Sequence, residues 1–485
     1  MTNRPVVVGV AAIQQKGNFE ELDEALILMD KAAKSAVGDV GNDAIKNYID
    51  EIRVPKGFWK YRDPGKWIAK NNNFKKNPTT YVTKIGVLQQ NLINEACLKI
   101  ERGEIEASLI IGGEARYKNL RSKIEKKSFK EKKLEENPDF YIKAKQDLYG
   151  DEELEALGAM AVGYYAVIET ALRKVHNEEL SEHKEKIGKQ YKLFSDLALK
   201  NKNAWADEAF SEEEIIFDSK KNKLMAYPYN KLHCTSWNVN QSAALILCSE
   251  KVADKLKVDA SKRVYPIAST ENNHMISVLQ RPKLYESFGM NYAAKTIKNF
   301  INKSEIDIDA YDLYSCFPAA VRMFKDSLEI DDDKPLTVTG SMPFAGGPLN
   351  SYVLHSSVAM IERIRTNKIS YGLVTGVSGM MTKQSFCVWG KEYKEGFMHS
   401  DVTKKVQSEE LPLNLSSKLD GEGKIVGYTF FESKDQNPIA VLYLEDDDNH
   451  RKVVTSNKLD FIDLLRDQEW VGKRISFRKN QVVSW

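Results

Sequence analysis

Cys316 is the residue of this sequence whose chemistry is easiest to state. It stands in "LYSCFPAAV", at the end of an apolar run that is typical of a strand. Pro318 follows, and proline is well suited to the first turn of a helix. A thiol at such a junction can carry a proton to or from a substrate, and it can equally be a small buried packing residue. Both interpretations of Cys316 are open at this point.

A second group of polar residues follows a glycine pair in "AGGPLNSYVLH". His355 lies near the start of a predicted helix, where it either supplies an imidazole to a site or packs against a sheet. Asn350 and Tyr352 can orient a carbonyl group through hydrogen bonds. We therefore take Cys316 and His355 as candidate catalytic residues, and Asn350 and Tyr352 as candidate substrate-binding residues.

Glycines recur in the predicted turns around these residues, at Gly346, Gly347, Gly376 and Gly379. Glycine permits a positive φ and a close approach of the backbone to a ligand. The N–H groups of such turns can form an oxyanion hole, which needs no side chain. The sequence therefore predicts that these turns line a substrate pocket.

The remaining cysteines and histidines do not indicate a metal or disulfide framework. Five cysteines are widely separated without a CxxC pair, and seven histidines show no zinc-type spacing. Cys97 and Cys248 lie in apolar runs and are expected in the core. His233 and Cys234, in the loop-like "YNKLHCTS", are weaker candidates for the site.

Charge and hydropathy exclude several classes of function. Over 485 residues the net charge is only +2, which gives no general attraction to nucleic acid. No run of about 20 apolar residues is present, so no membrane span is expected. The start "MTNRPVVVGVAAIQQ" has the pattern of a buried first strand, and free thiols are typical of a reducing compartment. We expect a cytoplasmic protein.

Alternating apolar strands and amphipathic helices predict an α/β core with covered sheet faces. The stretch "NLINEACLKIERGEIEASLIIGGEA" is echoed by "HSSVAMIERIRTNKISYGLVTGVSG", which indicates a duplicated half. We assign the two halves of the core to residues 1–117 and 227–390. The charged, amphipathic region 118–226 is predicted to be a helical insertion.

The pattern changes once more near the C-terminus. Three strand-like runs, a short helix and two further strand-like runs follow one another in 400–485. This is the element order of a small barrel of the OB type. Such barrels can bind oligonucleotides, but the acidic "LEDDDNH" favours a role in packing or at an interface.

Five stretches of the sequence, taken in order, resemble motifs of the thiolase superfamily. The helix-to-strand stretch from "GVLQQNL" to "IIGGEA" resembles the helix that carries the nucleophilic cysteine and the strand after it. "VNQSAALILCS" resembles the Asp-Gly-Ala-Ala strand start, with Asn240 at the aspartate position, and "LYSCF" resembles the His-Asp-Cys-Phe motif of sterol-carrier-type thiolases. "AGGPLNS" resembles the Gly-His-Pro-Leu-Gly turn, and "TGVSGM" the last glycine-rich loop. The resemblance covers residues 1 to about 390, and the C-terminal barrel is similar to that of bacterial thiolase-like proteins described as acetyl-CoA acetyltransferases.

The resemblance implies a duplicated, layered core in which the catalytic groups are altered. In this family a cysteine takes an acyl group from coenzyme A, a histidine activates the thiol, and a second cysteine moves an α-proton. The matched positions put Gly86 in place of the nucleophile and Gly347 in place of the histidine. Tyr314 replaces the histidine of the His-Asp-Cys-Phe motif, whereas Cys316 is retained. Gly86 and Tyr314 thereby join the expected substrate-binding residues.

The function implied is the handling of acyl-CoA, either as substrate or as ligand, with no permanently bound cofactor. One hypothesis is an acyltransferase of lipid metabolism with altered catalytic groups and no ordinary thiolysis. A second is a protein that binds CoA or an acyl chain without turnover. A third is a scaffold whose barrel docks a partner enzyme. A homodimer, a complex with a partner enzyme and a monomer are all compatible with the sequence.

Overall fold

The computed structural model of the protein describes residues 3–393, 395–432 and 437–485. Residues 1, 2 and 433–436 of the predicted domains lie outside the described part. The strands are β1 Pro5–Gln14, β2 Ile49–Pro55, β3 Thr79–Thr83, β4 Ala107–Ala115, β5 Phe140–Ile142, β6 Leu224–Ala226, β7 Tyr229–Asn230, β8 Asn240–Ser249, β9 Tyr265–Asn272, β10 Ala310–Asp312, β11 Tyr371–Ser378, β12 Lys383–Gly390, β13 Met398–Asp401, β14 Asp420–Glu432, β15 Pro438–Glu445, β16 Arg451–Ser456, β17 Arg474–Arg478 and β18 Gln481–Ser484.

Helices alternate with these strands through the first four-fifths of the chain. They are α1 Ala25–Val40, α2 Pro64–Asn71, α3 Gln89–Glu101, α4 Arg116–Ile124, α5 Asp151–Leu157, α6 Ala161–Val175, α7 Leu180–Ala198, α8 Glu212–Ile216, α9 Glu250–Lys255, α10 Phe288–Lys303, α11 Pro318–Leu328, α12 Met342–Ala345, α13 Tyr352–Arg365, α14 Thr403–Glu409 and α15 Leu459–Asp467. Among the described residues, no helix is long and apolar enough to cross a membrane.

Two mixed sheets repeat one pattern of strand pairing. The first has the order β1-β8-β4-β2-β3-β5, in which β2 is parallel to β4, while β8 is antiparallel to both β4 and β1. The second has the order β10-β11-β12-β9-β13, in which β10 is parallel to β11, while β12 is antiparallel to both β11 and β9. The strands β2, β4, β8 and β1 thus correspond to β10, β11, β12 and β9. The duplication expected from the echoed sequence is present in the sheet topology.

The helices form layers on and between the sheets. Helices α3 and α13 contact each other and strands of both sheets, so they form the middle layer. Helix α1 covers the outer face of the first sheet and α10 that of the second. Close packing of α1 requires Gly9 in β1, because a Cβ there would lie 2.3 Å from the Ala36 carbonyl oxygen. The predicted fold class, a duplicated and layered α/β core, is confirmed.

The region between residues 118 and 226 is mainly helical and lies against the core. Helices α5, α6, α7 and α8 belong to it, and a short strand from it, β5, pairs in parallel with β3 at the edge of the first sheet. Phe140 of β5 stacks on Tyr81 of β3 with ring centroids 4.8 Å apart. The outer edge of β3 is therefore covered by the chain's own backbone.

The C-terminal strands close into a barrel with the order β14-β15-β16-β18-β17. Helix α15 lies between the third and fourth strands of this barrel, as in an OB fold. Trp470 and Phe477 are buried inside it. The barrel packs tightly on α6, since a Cβ at Gly427 would lie 2.8 Å from Val167 atoms. The predicted small barrel is confirmed, and it is docked on the helical region.

One predicted strand is shorter than expected, and its end shapes the candidate site. The sequence predicts strand structure through "AYDLYSCF", but β10 ends at Asp312. The ladder stops because the next N–H groups have other acceptors: Leu313 donates to the Leu336 carbonyl at 3.0 Å and Tyr314 to the Thr375 hydroxyl at 2.7 Å. Residues 313–317 therefore form a buried loop, after which Pro318 starts α11 as predicted.

Candidate functional site

Two of the glycines singled out in the sequence, Gly86 and Gly379, lie close to the same side chain, that of Leu148. Gly86 precedes α3 with φ +106°. Its Cβ position would lie 3.1 Å from the Ala144 side chain and 3.4 Å from that of Leu148. Leu148 is also 3.7 Å from the Cβ position of Gly379, in the turn between β11 and β12. A loop of the helical region thus covers both glycines.

Cys316 is buried at the inner end of the 313–317 loop. Thr235 donates to its carbonyl oxygen from both its N–H at 3.1 Å and its hydroxyl at 3.0 Å. Burial raises the pKa of the Cys316 thiol to about 12, and a hydrogen bond with the Tyr165 phenol opposes this rise. At neutral pH the thiol is therefore protonated and can act as a proton donor, whereas the thiolate required for nucleophilic attack is rare.

Tyr165 of α6 connects this thiol to the glycine-rich turn. Its ring lies 4.7 Å from that of Phe317, centroid to centroid. Its hydroxyl accepts a hydrogen bond from the Met381 N–H at 3.1 Å. Nothing in the one-dimensional pattern of α6 distinguishes this tyrosine from other buried aromatic residues of an amphipathic helix, so sequence reasoning did not identify it.

Tyr314 and Asn350, two predicted substrate-binding residues, are joined by Gln89 in the first turn of α3. The Gln89 amide oxygen accepts from the Val353 N–H at 2.8 Å, and its amide nitrogen donates to Asn350 Oδ1 at 3.4 Å. The Tyr314 phenol also forms a hydrogen bond with Gln89. Asn350 Nδ2 is buried and has no acceptor among the described residues. This arrangement leaves one amide donor available to a ligand.

Tyr352 instead belongs to a satisfied structural network. Its hydroxyl lies 2.7 Å from the Thr339 hydroxyl and 3.3 Å from Asp312 Oδ1. The other oxygen of Asp312 accepts from the N–H groups of Val338 and Thr339 at 2.9 and 3.0 Å. The Tyr352 ring meets that of Tyr314 edge-on at 5.6 Å. Tyr352 therefore positions Tyr314 rather than offering its hydroxyl to a ligand.

His355 lies one turn further along α13, beside a small pocket that Gly346 and Tyr352 also line. Cys316 is not among the residues that line this pocket. Burial lowers the pKa of His355 to about 3, so the imidazole is neutral at physiological pH. Its Nε2 has no hydrogen-bond partner among the described residues. The predicted pair of Cys316 and His355 is therefore not brought together by any contact in the structure.

The glycines of the predicted oxyanion hole have structural roles in this conformation. The Gly347 N–H donates to the Ser236 carbonyl oxygen at 2.9 Å, and a Cβ at Gly347 would lie 2.2 Å from the Thr235 side chain. Gly376 lies inside β11 opposite Ser385, whose hydroxyl is 2.5 Å from the Gly376 Cβ position. The Gly347 N–H, which the sequence offers to an oxyanion, thus already has a backbone acceptor.

His233 and Cys234, the weaker sequence candidates, lie next to the Cys316 loop. His233 Nδ1 accepts from the Asn230 N–H at 3.0 Å, and burial lowers the His233 pKa to about 3. Burial raises the pKa of Cys234, and the proximity of Cys316 adds to this. His233 also lines an open cavity of about 510 Å³ between the helical region and the barrel.

Lys383, the first residue of β12, is a further polar residue that sequence reasoning missed. It is 3% exposed, and its ammonium group donates to the Gly86 carbonyl oxygen at 2.8 Å. Among the described residues no carboxylate lies within ion-pair distance of it, and burial lowers its pKa. A lysine that follows a glycine-rich turn and opens an apolar strand, "KQSFCVWG", is the signal that was available.

One group of potential metal ligands lies far from this site in sequence. Asp446, Asp448 and His450 have side-chain atoms within 4.8 Å of one another on a turn of the barrel. Asp446 Oδ1 already accepts from the N–H groups of Asp448 and His450 at 3.0 and 2.9 Å. Lys418 lies 3.4 Å from both carboxylates. These contacts are those of an acidic turn neutralised by a lysine.

Comparison with known proteins identifies the fold. No family model and no curated protein matches this sequence. A solved monomeric SCP2-thiolase-like protein type 1 from Mycobacterium smegmatis is similar over 100% of both chains, with a TM-score of 0.83 and 23% identity. Acetyl-CoA acetyltransferase from Syntrophomonas wolfei is similar over 81% of this chain and 100% of its own, with a TM-score of 0.54 and 15% identity. Human mitochondrial 3-ketoacyl-CoA thiolase is similar over 80% of this chain and 100% of its own, with a TM-score of 0.55 and 14% identity. The chain has the thiolase fold, as the motifs predict, and its likeness to the mycobacterial protein extends over the barrel.

Proposed function

We propose that this protein binds acyl-CoA thioesters and acts on the acyl group without forming a cysteine acyl-enzyme. The observation that carries the proposal is the environment of Gly86 within a thiolase fold. The position that motif comparison gives to the nucleophile has no side chain, and Ala144 and Leu148 fill the space next to it. A thioester bound there meets protonated and neutral groups, which are suited to moving protons and to holding a carbonyl oxygen.

The polar groups around the beginning of α3 support a carbonyl-binding role. Asn350 Nδ2 is a buried donor without an acceptor among the described residues, and such a donor is costly to leave unpaired. Tyr314 lies on the same Gln89 side chain and carries a phenol whose pKa is raised by burial. Both groups donate hydrogen bonds at neutral pH. A thioester carbonyl provides the acceptor that the Asn350 amide lacks.

A second candidate function is binding of CoA or an acyl chain without turnover. The observation that favours it is the state of the groups expected to do chemistry: the Cys316 thiol is protonated, and the Gly347 N–H donates to Ser236. On this alternative the cover formed by Ala144 and Leu148 retains the ligand. Scaffolding of a partner enzyme through the barrel remains a third candidate.

Two measurements on the intact chain test the proposed ligand and the absence of a cysteine acyl-enzyme. Calorimetric titration with acetyl-CoA and with CoA should show binding of both. Incubation with acetyl-CoA followed by mass spectrometry should show no acetyl group on any cysteine, with Cys316→Ala as the control. An adduct on Cys316 that this variant abolishes would overturn the non-covalent mechanism, and absence of binding would overturn the proposed ligand.

We further propose that the protein acts as a monomer in the cytoplasm. The covered edge of β3 supports the monomer, since β5 occupies the position where another chain would pair. The mycobacterial neighbour is described as monomeric. Five free cysteines support a reducing compartment. Light scattering at micromolar concentration tests the oligomeric state, and a mass twice that of the chain would favour a homodimer.

A further inference from the structure

We propose that Lys383 is a carbonyl-trapping amine, which condenses with the ketone group of a bound ligand such as a 3-oxoacyl thioester. The inference rests on the proposed function for its ligand, and it adds a covalent chemistry that no cysteine supplies. Its basis is the position of Lys383 at Gly86, together with the buried donor on Asn350.

Lys383 is held at the point where the expected nucleophile is missing. Its Nζ donates to the Gly86 carbonyl oxygen at 2.8 Å, three residues before the first residue of α3. Ala144 and Leu148 cover the side of Gly86 on which a side chain would project. A nucleophile is therefore present beside Gly86, although it comes from β12 instead of the helix.

The surroundings of this amine favour its neutral, nucleophilic form. It is 3% exposed, and no carboxylate among the described residues lies within ion-pair distance. The N-terminus of α3 also carries a partial positive charge and has no side-chain cap on its N-cap residue, Leu88. Desolvation next to positive potential is the setting in which a lysine becomes a nucleophile.

A second, independent feature points to a carbonyl ligand. Gln89, in the same turn that follows Gly86, binds Asn350 Oδ1 and thereby fixes which end of that amide is available. The remaining Nδ2 is buried and has no acceptor among the described residues. Gly86 before α3 and Gln89 in its first turn thus each contact one of these groups, a primary amine and an amide donor, and addition to a carbonyl uses both kinds of group.

The step balances without any further reagent. The Lys383 nitrogen adds to the carbonyl carbon, and one amine proton passes to the carbonyl oxygen, which Asn350 Nδ2 holds. The resulting carbinolamine loses that oxygen as water together with the second amine proton, which leaves a carbon–nitrogen double bond.

Lys452 provides a matched control elsewhere in the chain. It is 5% exposed, and its Nζ donates to a backbone carbonyl, that of Ser416, at 3.2 Å. It therefore shares the burial and the carbonyl contact of Lys383, but it lies in the barrel, away from α3. A reaction that selects Lys383 over Lys452 reports on the site and not on burial.

The experiment traps the imine on the full chain with sodium cyanoborohydride. Two probes are used separately: acetoacetyl-CoA, and ethyl acetoacetate, which contains no CoA and so tests the amine even if CoA does not bind. Peptide mass spectrometry should place the reduced adduct on Lys383 with at least about tenfold preference over Lys452. Lys383→Met should abolish it, and Lys452→Met should not.

The cover is tested in the same experiment, because it controls access. Leu148→Ala should raise labelling of Lys383 by ethyl acetoacetate several-fold, and circular dichroism establishes that each variant is folded. If Lys383 carries no adduct with either probe, even in Leu148→Ala, the proposal is wrong. Labelling by ethyl acetoacetate without calorimetric binding of acetyl-CoA would retain the reactive lysine and reject the proposed CoA ligand.

Discussion

Cys316 and Lys383 lie in neighbouring segments of one site, and burial has opposite consequences for them. Both are buried, and each makes one side-chain hydrogen bond, to the Tyr165 phenol and to the Gly86 carbonyl respectively. A medium of low polarity disfavours whichever form is charged. For the thiol this form is the reactive thiolate, whereas for the amine it is the unreactive ammonium.

The comparison shows how one buried environment suppresses the reactivity of a thiol and favours that of an amine. A thiol becomes nucleophilic where its thiolate is stabilised, but at Cys316 burial outweighs the hydrogen bonds from Tyr165 and from the backbone at the start of α11. Burial in the same environment of low polarity lowers the pKa of Lys383. This environment is therefore unfavourable for thiolates and favourable for neutral bases and amines.

The largest expected effect concerns the reactivity of Cys316. A pKa of about 12 in place of 9.0 lowers the thiolate fraction at pH 8 about 1,000-fold. Alkylation by iodoacetamide should therefore be slower by this order in the native protein than in urea, as followed by peptide mass spectrometry. Tyr165→Phe should slow it further, because the phenol hydrogen bond favours the thiolate. If Cys316 is alkylated as fast in the native protein as in urea, burial does not suppress its thiolate, and the contrast drawn with Lys383 is wrong.

Burial of His355 should have a smaller effect, which is on the pH dependence of stability. Its pKa is about 3 in the folded state, against 6.5 ordinarily, so below pH 6.5 the unfolded chain takes up a proton that the folded chain does not. Stability contributed by this group is present above pH 6.5 and falls by about 2 kcal/mol between pH 7.5 and pH 5. Urea unfolding of the wild type and of His355→Leu at both pH values measures the difference.

The control for this prediction is a histidine that lies on the surface. His450→Gln, on a turn of the barrel, is the reference variant, because it removes an imidazole that lies outside the buried core. If His355→Leu and the wild type lose stability in parallel as the pH falls, the imidazole of His355 is accessible to protons in the folded state. In that case burial does not set the charge states of this region.

Filling the vacant nucleophile position should destabilise the fold. Gly86→Ala places a methyl group 3.1 Å from the Ala144 side chain on a backbone with φ +106°, which should cost about 1–2 kcal/mol. Adding Leu148→Ala should recover only the steric part of the loss. Gly150→Ala is the matched control, because Gly150 has an extended backbone and its Cβ position has no neighbour closer than 3.5 Å. Equal melting temperatures for Gly86→Ala and Gly150→Ala would contradict the tight cover.

Sequence reasoning recovered the fold better than the site. Periodic apolar runs and the echoed helix–strand pair predict the layered core, and five strand-like runs around α15 predict the barrel, because these elements have local signatures. β10 was predicted too long, since its end depends on the Leu336 carbonyl and the Thr375 hydroxyl, which are distant in sequence. A strand pattern contains no information about such partners.

The site residues were predicted from motif positions, which contain no information about three-dimensional contacts. Residues that belong to the site only through such contacts were therefore missed. Tyr314, Asn350 and Cys316 were selected from motif positions, but Gln89 and Tyr165, which connect them to their neighbours, have no motif. Lys383 was missed because a single lysine in a strand is usually a solvated residue. Its carbonyl partner, Gly86, is almost 300 residues away in the chain, at a separation of 297.

The smallest effect concerns Asn350, whose unpaired amide donor distinguishes a ligand site from a packing residue. If a bound carbonyl accepts a hydrogen bond from Nδ2, Asn350→Ala should weaken acetyl-CoA binding about fivefold, which is the contribution of one hydrogen bond. Stability of the free protein should change little, because the substitution removes a buried donor without an acceptor among the described residues and only one long hydrogen bond, from Gln89 at 3.4 Å. Asn240→Ala should instead lower stability and leave acetyl-CoA binding unchanged, since the Asn240 side chain accepts from the Lys118 N–H at 3.0 Å and donates to the Asp23 carbonyl at 3.0 Å.

Calorimetric titration measures the affinity of both variants for acetyl-CoA, and urea unfolding measures their stability. If Asn350→Ala loses stability and keeps its affinity, Asn350 is a structural residue, and the amine of Lys383 has no partner with which to hold a carbonyl.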